Sequence, residues 1–189
     1  MNWLIVISAP SGTGKTTLCS KLLNEIPTIK LSVSSTTRAP RGKEKNGIEY
    51  FFIDKPEFEK KIKENRFAEW ALVHENYYGT SKDFIEKTFA SGNSVLLDID
   101  VQGADQLKKS YPEKTFTIFV MPPSMEVLEK RLRSRGTDTE ETIQKRLKNA
   151  AKEMAQKDRF DSVIINDDLN VAYIELKKTV SKKISESSS

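Results

Sequence analysis

A chain of 189 residues, 37% hydrophobic and 31% charged, can bury a core as one compact domain and is not a disordered polymer. Lys plus Arg number 31 against 27 Asp plus Glu, and a net charge of +4 spread along the chain favours anionic ligands without building a nucleic-acid groove. A single cysteine, Cys19, excludes an intramolecular disulfide, and one histidine beside it leaves no Cys/His set for zinc. The apolar run at residues 3–7 is too short for a signal peptide and no stretch approaches a membrane span, so a soluble, cytoplasmic protein is expected, a monomer or homo-oligomer.

WLIVIS (residues 3–8) reads as a buried strand, because it is near-continuous in apolar residues rather than alternating. It runs into Ala9-Pro10-Ser11-Gly12-Thr13-Gly14-Lys15-Thr16, which opens a helix over 15–25, the setting that G-x-x-x-x-G-K-[ST] requires. Gly12 and Gly14 let backbone N–H groups point inward at an anion, and the helix start adds its positive dipole end. Lys15 then reaches the β and γ phosphates and the Thr16 hydroxyl ligates Mg²⁺, so the loop holds a nucleoside triphosphate. The first position is Ala9 instead of glycine, which is harmless if its φ is negative.

Residues 34–81 break the rhythm, being richer in Gly, Pro, Tyr and charge, and are expected to form an inserted small subdomain with antiparallel strands near 49–53 and 69–73. In it, Ser34-Ser-Thr-Thr-Arg38-Ala-Pro-Arg41-Gly makes a donor-rich loop suited to an oxyanion held by planar forks, although a solvated basic loop has the same composition. Further along come Tyr50, Glu69, Tyr78 and Thr80, each a weak signal alone. After a helix at 83–90, SVLLDI (94–99) puts Asp98 and Asp100 at a strand end, two apart and on one face, where buried carboxylates need partners. A helix at 102–110 and the strand FTIFVM (116–121) follow.

Residues 124–148 are strongly charged around Gly136 and read as a mobile helical flap: a helix at 125–135, then Asp138 and Glu141 as a capping box opening a helix at 140–160. The break brings Arg135 and Arg146 toward one point; Arg131 lies on the same first helix, and Arg133 is expected in solvent. The strand SVIIN (162–166), a helix at 171–184 and a fraying SESSS tail close the chain. His74 is read as surface, Cys19 as a packed apolar residue, and Trp3 and Trp70 as packing. Strands alternating with helices define an α/β fold, a parallel sheet with flanking helices and ligands at the strands' carboxyl ends. Its core covers about 1–33, 82–123 and 149–189.

APSGTGKT, SSTTRAPRGKEKNGIEYFF, EWALVHENYYGTS, LLDIDVQG and RLRSRGTDTEETIQKRL, in that order and spacing, resemble guanylate kinases over about residues 3–176. The resemblance implies a P-loop NTPase-type sheet in one nucleoside monophosphate kinase domain, residues 34–81 being its GMP-binding subdomain and 124–148 its lid. It implies Mg²⁺-dependent transfer of the ATP γ-phosphoryl group to GMP, and to dGMP, giving ADP and GDP in purine nucleotide metabolism. Arg38, Arg41, Tyr50 and Tyr78 would hold the GMP phosphate; Asp98 would act on Mg²⁺ through water beside Thr16; Asp100 would serve guanine. Lys15, Arg38, Arg135 and Arg146 would neutralise charge on the transferring group, and Arg131 and Asn166 would border ATP, the adenine contacts near 166–167 being largely backbone.

The chemistry agrees with this. Guanine offers N1–H and an exocyclic amine as donors with O6 as acceptor, so Glu69 and Asp100 suit one edge and the hydroxyls of Ser34 and Thr80 the other. Adenine would present an acceptor at N1 and leave buried charge unpaired, a mismatch that can reject it by roughly 10⁴-fold. Two other readings compete. A catalytically silent guanylate-kinase-like module that binds protein partners would have lost the phosphate loop or GMP ligands, which this chain keeps. A P-loop kinase for another small substrate would lack the guanine-facing set. No Asn-Lys-x-Asp element of a switch GTPase is present.

Overall fold

The computed structural model describes residues 2–73, 75–134, 136 and 138–186. Five parallel strands form the main sheet, in the order β2 (Ile29–Leu31), β7 (Ser94–Asp98), β1 (Leu4–Ser8), β8 (Thr115–Met121) and β9 (Ser162–Ile165). The central strand β1 is buried along its whole length. Ile5 and Ile7 pack with Leu18 and Leu22 of α1 (Lys15–Glu25) and Leu176 of α7 (Leu169–Ser185). Leu4 and Val6 point the other way, to Ile85 of α3 (Lys82–Ala90) and Leu107 of α4 (Val101–Ser110). Two covered faces explain why the strand is apolar at every position, and each such side chain contributes roughly 1.5–3 kcal/mol. Because all five strands run the same way, the segments after β1, β7 and β9 emerge on one edge.

The inserted region forms a second sheet, ordered β4 (Phe51–Phe52), β3 (Ser35–Thr36), β6 (Asn76–Ser81), β5 (Phe67–Val73), with α2 (Lys55–Lys63) between β4 and β5. The antiparallel strand expected near 49–53 is corrected: two residues only are extended, and they pair parallel to β3. β5 does pair antiparallel, with β6, whose polar, glycine-containing NYYGTS carries no strand pattern of its own. The interior here is aromatic, Phe58 stacking on Phe67 and Tyr77 at 4.4 and 5.1 Å between centroids. α2 was legible after all: Asp54 accepts from Glu57 N at 2.7 Å and Pro56 follows, an N-terminal signature.

α5 (Met125–Ser134) and α6 (Glu140–Met154) pack through Leu128, Leu132, Ile143 and Ala150. The expected capping box is corrected. Thr139 caps α6, accepting from Thr142 N, because Asp138 is committed to an ion pair with Arg146. The helix expected to reach residue 160 stops at Met154; after a 3₁₀ turn at Lys157–Arg159, Phe160 packs its ring on Phe119. Cys19 is buried as expected, its thiol pushed up to about 12 chiefly by burial. Trp3 is half-buried under Lys183, while Trp70 is partly exposed and leans on Tyr77. Among the described residues no helix is long and apolar enough to cross a membrane.

Candidate active site

The loop after β1 folds through left-handed backbone at Gly12 and Gly14, with φ of 94° and 93°. Outside glycine, positive φ among the described residues occurs only at Asn65 and Glu75, so Ala9 meets no conformational demand for glycine. Thr13 braces the loop by donating its hydroxyl to Pro10 O at 2.7 Å. Beneath it lies Asn166, buried, donating Nδ2 to Thr13 O at 2.6 Å; a Cβ on Gly14 would fall 2.7 Å from that same nitrogen. Asn166 therefore serves the loop through its side chain. Replacing Asn166 with Ala leaves a buried carbonyl unpaired, which should lower stability by about 1–3 kcal/mol. Titration should show KM rising for ATP more than for GMP; an unchanged KM for ATP would refute this support role.

Lys15 leaves the start of α1 and forms an ion pair with Asp98 at the end of β7. Asp98 borders the cleft, and Lys15 supplies the partner that a strand-end carboxylate needs. Thr16 lies beside them, exposed, and both line the same cleft. Among the described residues no three His, Cys, Asp or Glu side chains form a metal cluster. One carboxylate and one hydroxyl nonetheless fit Mg²⁺, which keeps several waters and takes further oxygens from substrate phosphates.

The cleft, of about 580 Å³, runs from the phosphate loop to a recess walled by Ser34, Tyr50, Glu69, Tyr78 and Asp100. Glu69 is 5% exposed, and burial pushes its carboxyl up to about 7 although Thr80 donates its hydroxyl to Oε1 at 2.6 Å; the Asp100 charge adds to the rise. Thr80, expected to face guanine, is thus wholly buried and engaged with Glu69. Asp100 caps α4, its Oδ1 accepting from Gly103 N at 2.9 Å, and still borders the recess. Tyr50 and Tyr78 meet edge to face at 5.9 Å, and burial raises the pKa of the Tyr50 hydroxyl.

Arg38 is buried behind that wall: NH2 donates to both Glu44 oxygens at 2.9 Å, and the guanidinium lies 5.3 Å from the Tyr50 ring centre. Arg41 is exposed, and its backbone N donates to the same carboxylate at 2.7 Å. Glu44, which sequence reasoning passed over, organises both arginines; nothing in RGKEKNG singles it out. From the flap, Arg131 donates to the carbonyls of Asn166 and Asp167 at 2.8 and 3.0 Å. Arg146 reaches Ser11 Oγ at 3.3 Å and pairs with Asp138 at 3.0 Å. Arg133 lies in solvent with Glu129 and Glu140, as expected. Arg135 and His74 fall outside the described residues. Glu153 was also missed; it lines the cleft seven residues after Arg146, a helical spacing that could have found it.

A loop shaped for a triphosphate thus opens into a separate recess with carboxylates and phenols on its far wall, room and chemistry for a donor and an acceptor nucleotide. That arrangement on a parallel sheet is the mark of P-loop nucleoside monophosphate kinases. The family model described as guanylate kinase matches residues 1–183. A guanylate kinase of Prochlorococcus marinus is 49% identical over 179 residues, covering 95% of this chain and 97% of that protein. One from Aromatoleum aromaticum is 50% identical over 173 residues, covering 92% of this chain and 84% of that protein. The crystal structure of guanylate kinase from Anaplasma phagocytophilum superposes with a TM-score of 0.79 at 34% identity, covering 96% of this chain and 86% of that one. The chain belongs to the guanylate kinase family.

Proposed function

We propose that this enzyme transfers the γ-phosphoryl group of ATP to GMP, giving ADP and GDP, with the following division of labour. Backbone N–H groups of residues 9–16 cradle the ATP phosphates, and Lys15 supplies a positive charge to the β and γ oxygens. Thr16 and Asp98 are the residues that would hold Mg²⁺, the carboxylate through water; when bound, the ion neutralises charge on the phosphates and aligns them. Glu69 and Asp100 accept the guanine N1–H and amine, Ser34 serves the remaining polar edge, and Thr80 acts by steadying Glu69. Arg38, Arg41, Tyr50 and Tyr78 hold the GMP phosphate, Arg38 exchanging Glu44 oxygens for phosphate oxygens. Arg135 and Arg146 stabilise the transferring group, and residues 124–148 close over it to exclude water. Arg131 orders the segment that borders adenine. Little covalent work falls to the protein, which accords with a site whose residues position the two nucleotides and offset phosphate charge.

The observation that carries this reading is a buried carboxylate, Glu69, in the same cleft as a complete phosphate loop. The test is ADP release from MgATP with GMP, dGMP, AMP, CMP, UMP or IMP, each against a control without acceptor. ADP should appear with GMP and dGMP, weakly with IMP and hardly at all with AMP. No ADP release from folded protein would refute the reading and favour a silent binding module, and preference for another monophosphate would overturn the guanine assignment.

A further inference from the structure

Two residues of α4 that no role above employs face the strand carrying Glu69. Gly103 and Gln106 lie three apart, on one side of the helix. A Cβ at Gly103 would sit 2.9 Å from Glu69 Oε2, with Ile99 Cδ1 at 3.1 Å and Glu69 Cδ at 3.4 Å. The φ of Gly103 is not positive, so glycine is needed there for space and not for backbone freedom. One turn on, the Gln106 amide clamps the backbone of Trp70, the residue after Glu69. Its Oε1 accepts from Trp70 N at 3.1 Å and its Nε2 donates to Trp70 O at 2.8 Å. Because β5 is the outer strand of its sheet, Gln106 occupies the hydrogen-bonding place of a further strand. The Glu69 carboxylate is thereby bounded on both sides, Oε1 by the Thr80 hydroxyl and Oε2 by the bare α4 backbone. Asp100 starts the same helix and is anchored to Gly103 N.

We propose that the first turns of α4 act as a spacer fixing the separation of Glu69 and Asp100, with Gly103 and Gln106 as positioning residues for guanine selection. The proposal rests on the guanine reading of those two carboxylates. Hydrogen bonds to N1–H and the amine tolerate only a few tenths of an ångström, so a displaced Glu69 weakens the acceptor nucleotide and spares ATP at the other end of the cleft.

Gly103→Ala, Gln106→Ala and Glu69→Gln are compared by steady-state kinetics with GMP, IMP and ATP, thermal melting, and hydrogen exchange at the Trp70 amide. Gly103→Ala should raise the KM for GMP by about 10–100-fold. Its melting temperature should hold or rise, since Ala favours a helix over Gly. Gln106→Ala should raise the KM for GMP about 3–10-fold and speed Trp70 exchange roughly 10-fold. In both, the preference for GMP over IMP, which lacks the exocyclic amine, should shrink while the KM for ATP stays within about twofold. A merely structural role would move both KM values together and leave the GMP-to-IMP ratio unchanged; that result overturns the proposal. Wild-type KM for GMP in both variants, with Glu69→Gln impaired, overturns it and leaves the guanine reading standing. Wild-type KM in Glu69→Gln removes the guanine reading, and the proposal with it. Should Gly103→Ala fail to fold, Gln106→Ala alone decides.

Discussion

Lys15→Ala should lower kcat by about 10³-fold or more while the folded structure persists. In the proposed mechanism Lys15, at the start of α1, offsets negative charge on the β and γ phosphate oxygens as the phosphoryl group passes. Its removal is cheap for the fold. The side chains of Lys15 and Asp98 are 20% and 33% exposed and border the open cleft, so loss of Lys15 leaves no fully buried charge behind. Asp98 remains open to water when its partner is lost. Single-turnover kinetics with excess enzyme, beside a circular-dichroism melt, would separate chemistry from folding. Turnover at the wild-type rate would remove Lys15 from the mechanism, and a collapsed melting curve would make its role structural.

Glu69→Gln should raise the KM for GMP by roughly 100-fold and change that for ATP by less than about threefold, because the new amide turns a donor toward guanine's own donors. Equal effects on both nucleotides would place Glu69 outside the guanine recess. pH supplies a second signature. With the Glu69 carboxyl raised to about 7 by burial, it is mostly protonated at pH 6 and mostly ionised at pH 8, so kcat/KM for GMP should climb across that interval. GMP phosphate itself titrates near pH 6, and Glu69→Gln, which keeps that ionisation and lacks the carboxyl, isolates the enzyme's share. A climb of the same size in both proteins would assign it to the substrate.

The same shift fixes a stability trend. Between the unfolded value of 4.5 and about 7, the unfolded chain releases this proton before the folded protein does. Stability of the wild type therefore falls as pH rises through that window and levels off above it. In Glu69→Gln the fall is absent, and the two proteins should diverge by on the order of 3 kcal/mol between pH 4 and pH 8. Parallel denaturation curves would show that the folded state does not hold this carboxyl protonated.

Long-range order of the chain was visible in local pattern. β1, β7 and β8 are buried along most of their length and, with the half-buried edge strand β9, announce themselves as near-continuous apolar runs, and α1 was legible to the residue because its start is dictated by the phosphate loop. α2, with Asp54 and Pro56 at its head, was equally readable and was overlooked. β2, β3 and β6 were not readable, and β4 was read as longer and antiparallel. They are short, or polar and glycine-bearing, and are extended only because a neighbouring strand accepts their hydrogen bonds, a property of the pair that neither sequence segment carries.

At the site, residue type and spacing alone identified the phosphate loop, since its chemistry lies in eight consecutive positions and a strand-to-helix context. The acceptor recess was legible as a set of residues, but their relations were decided in space. Thr80 is spent on Glu69, Asn166 props the loop from below, and Glu44 holds Arg38. The Gly103 and Gln106 contacts with β5 join positions more than thirty residues apart in the chain. Sequence by itself determined the phosphate loop, because its chemistry is local, and through the family resemblance it named the residues expected in the recess. Only the tertiary structure decided which hydroxyl, amide or bare backbone faces which carboxylate, because burial and hydrogen-bond partnership come from segments that meet once the two sheets have formed.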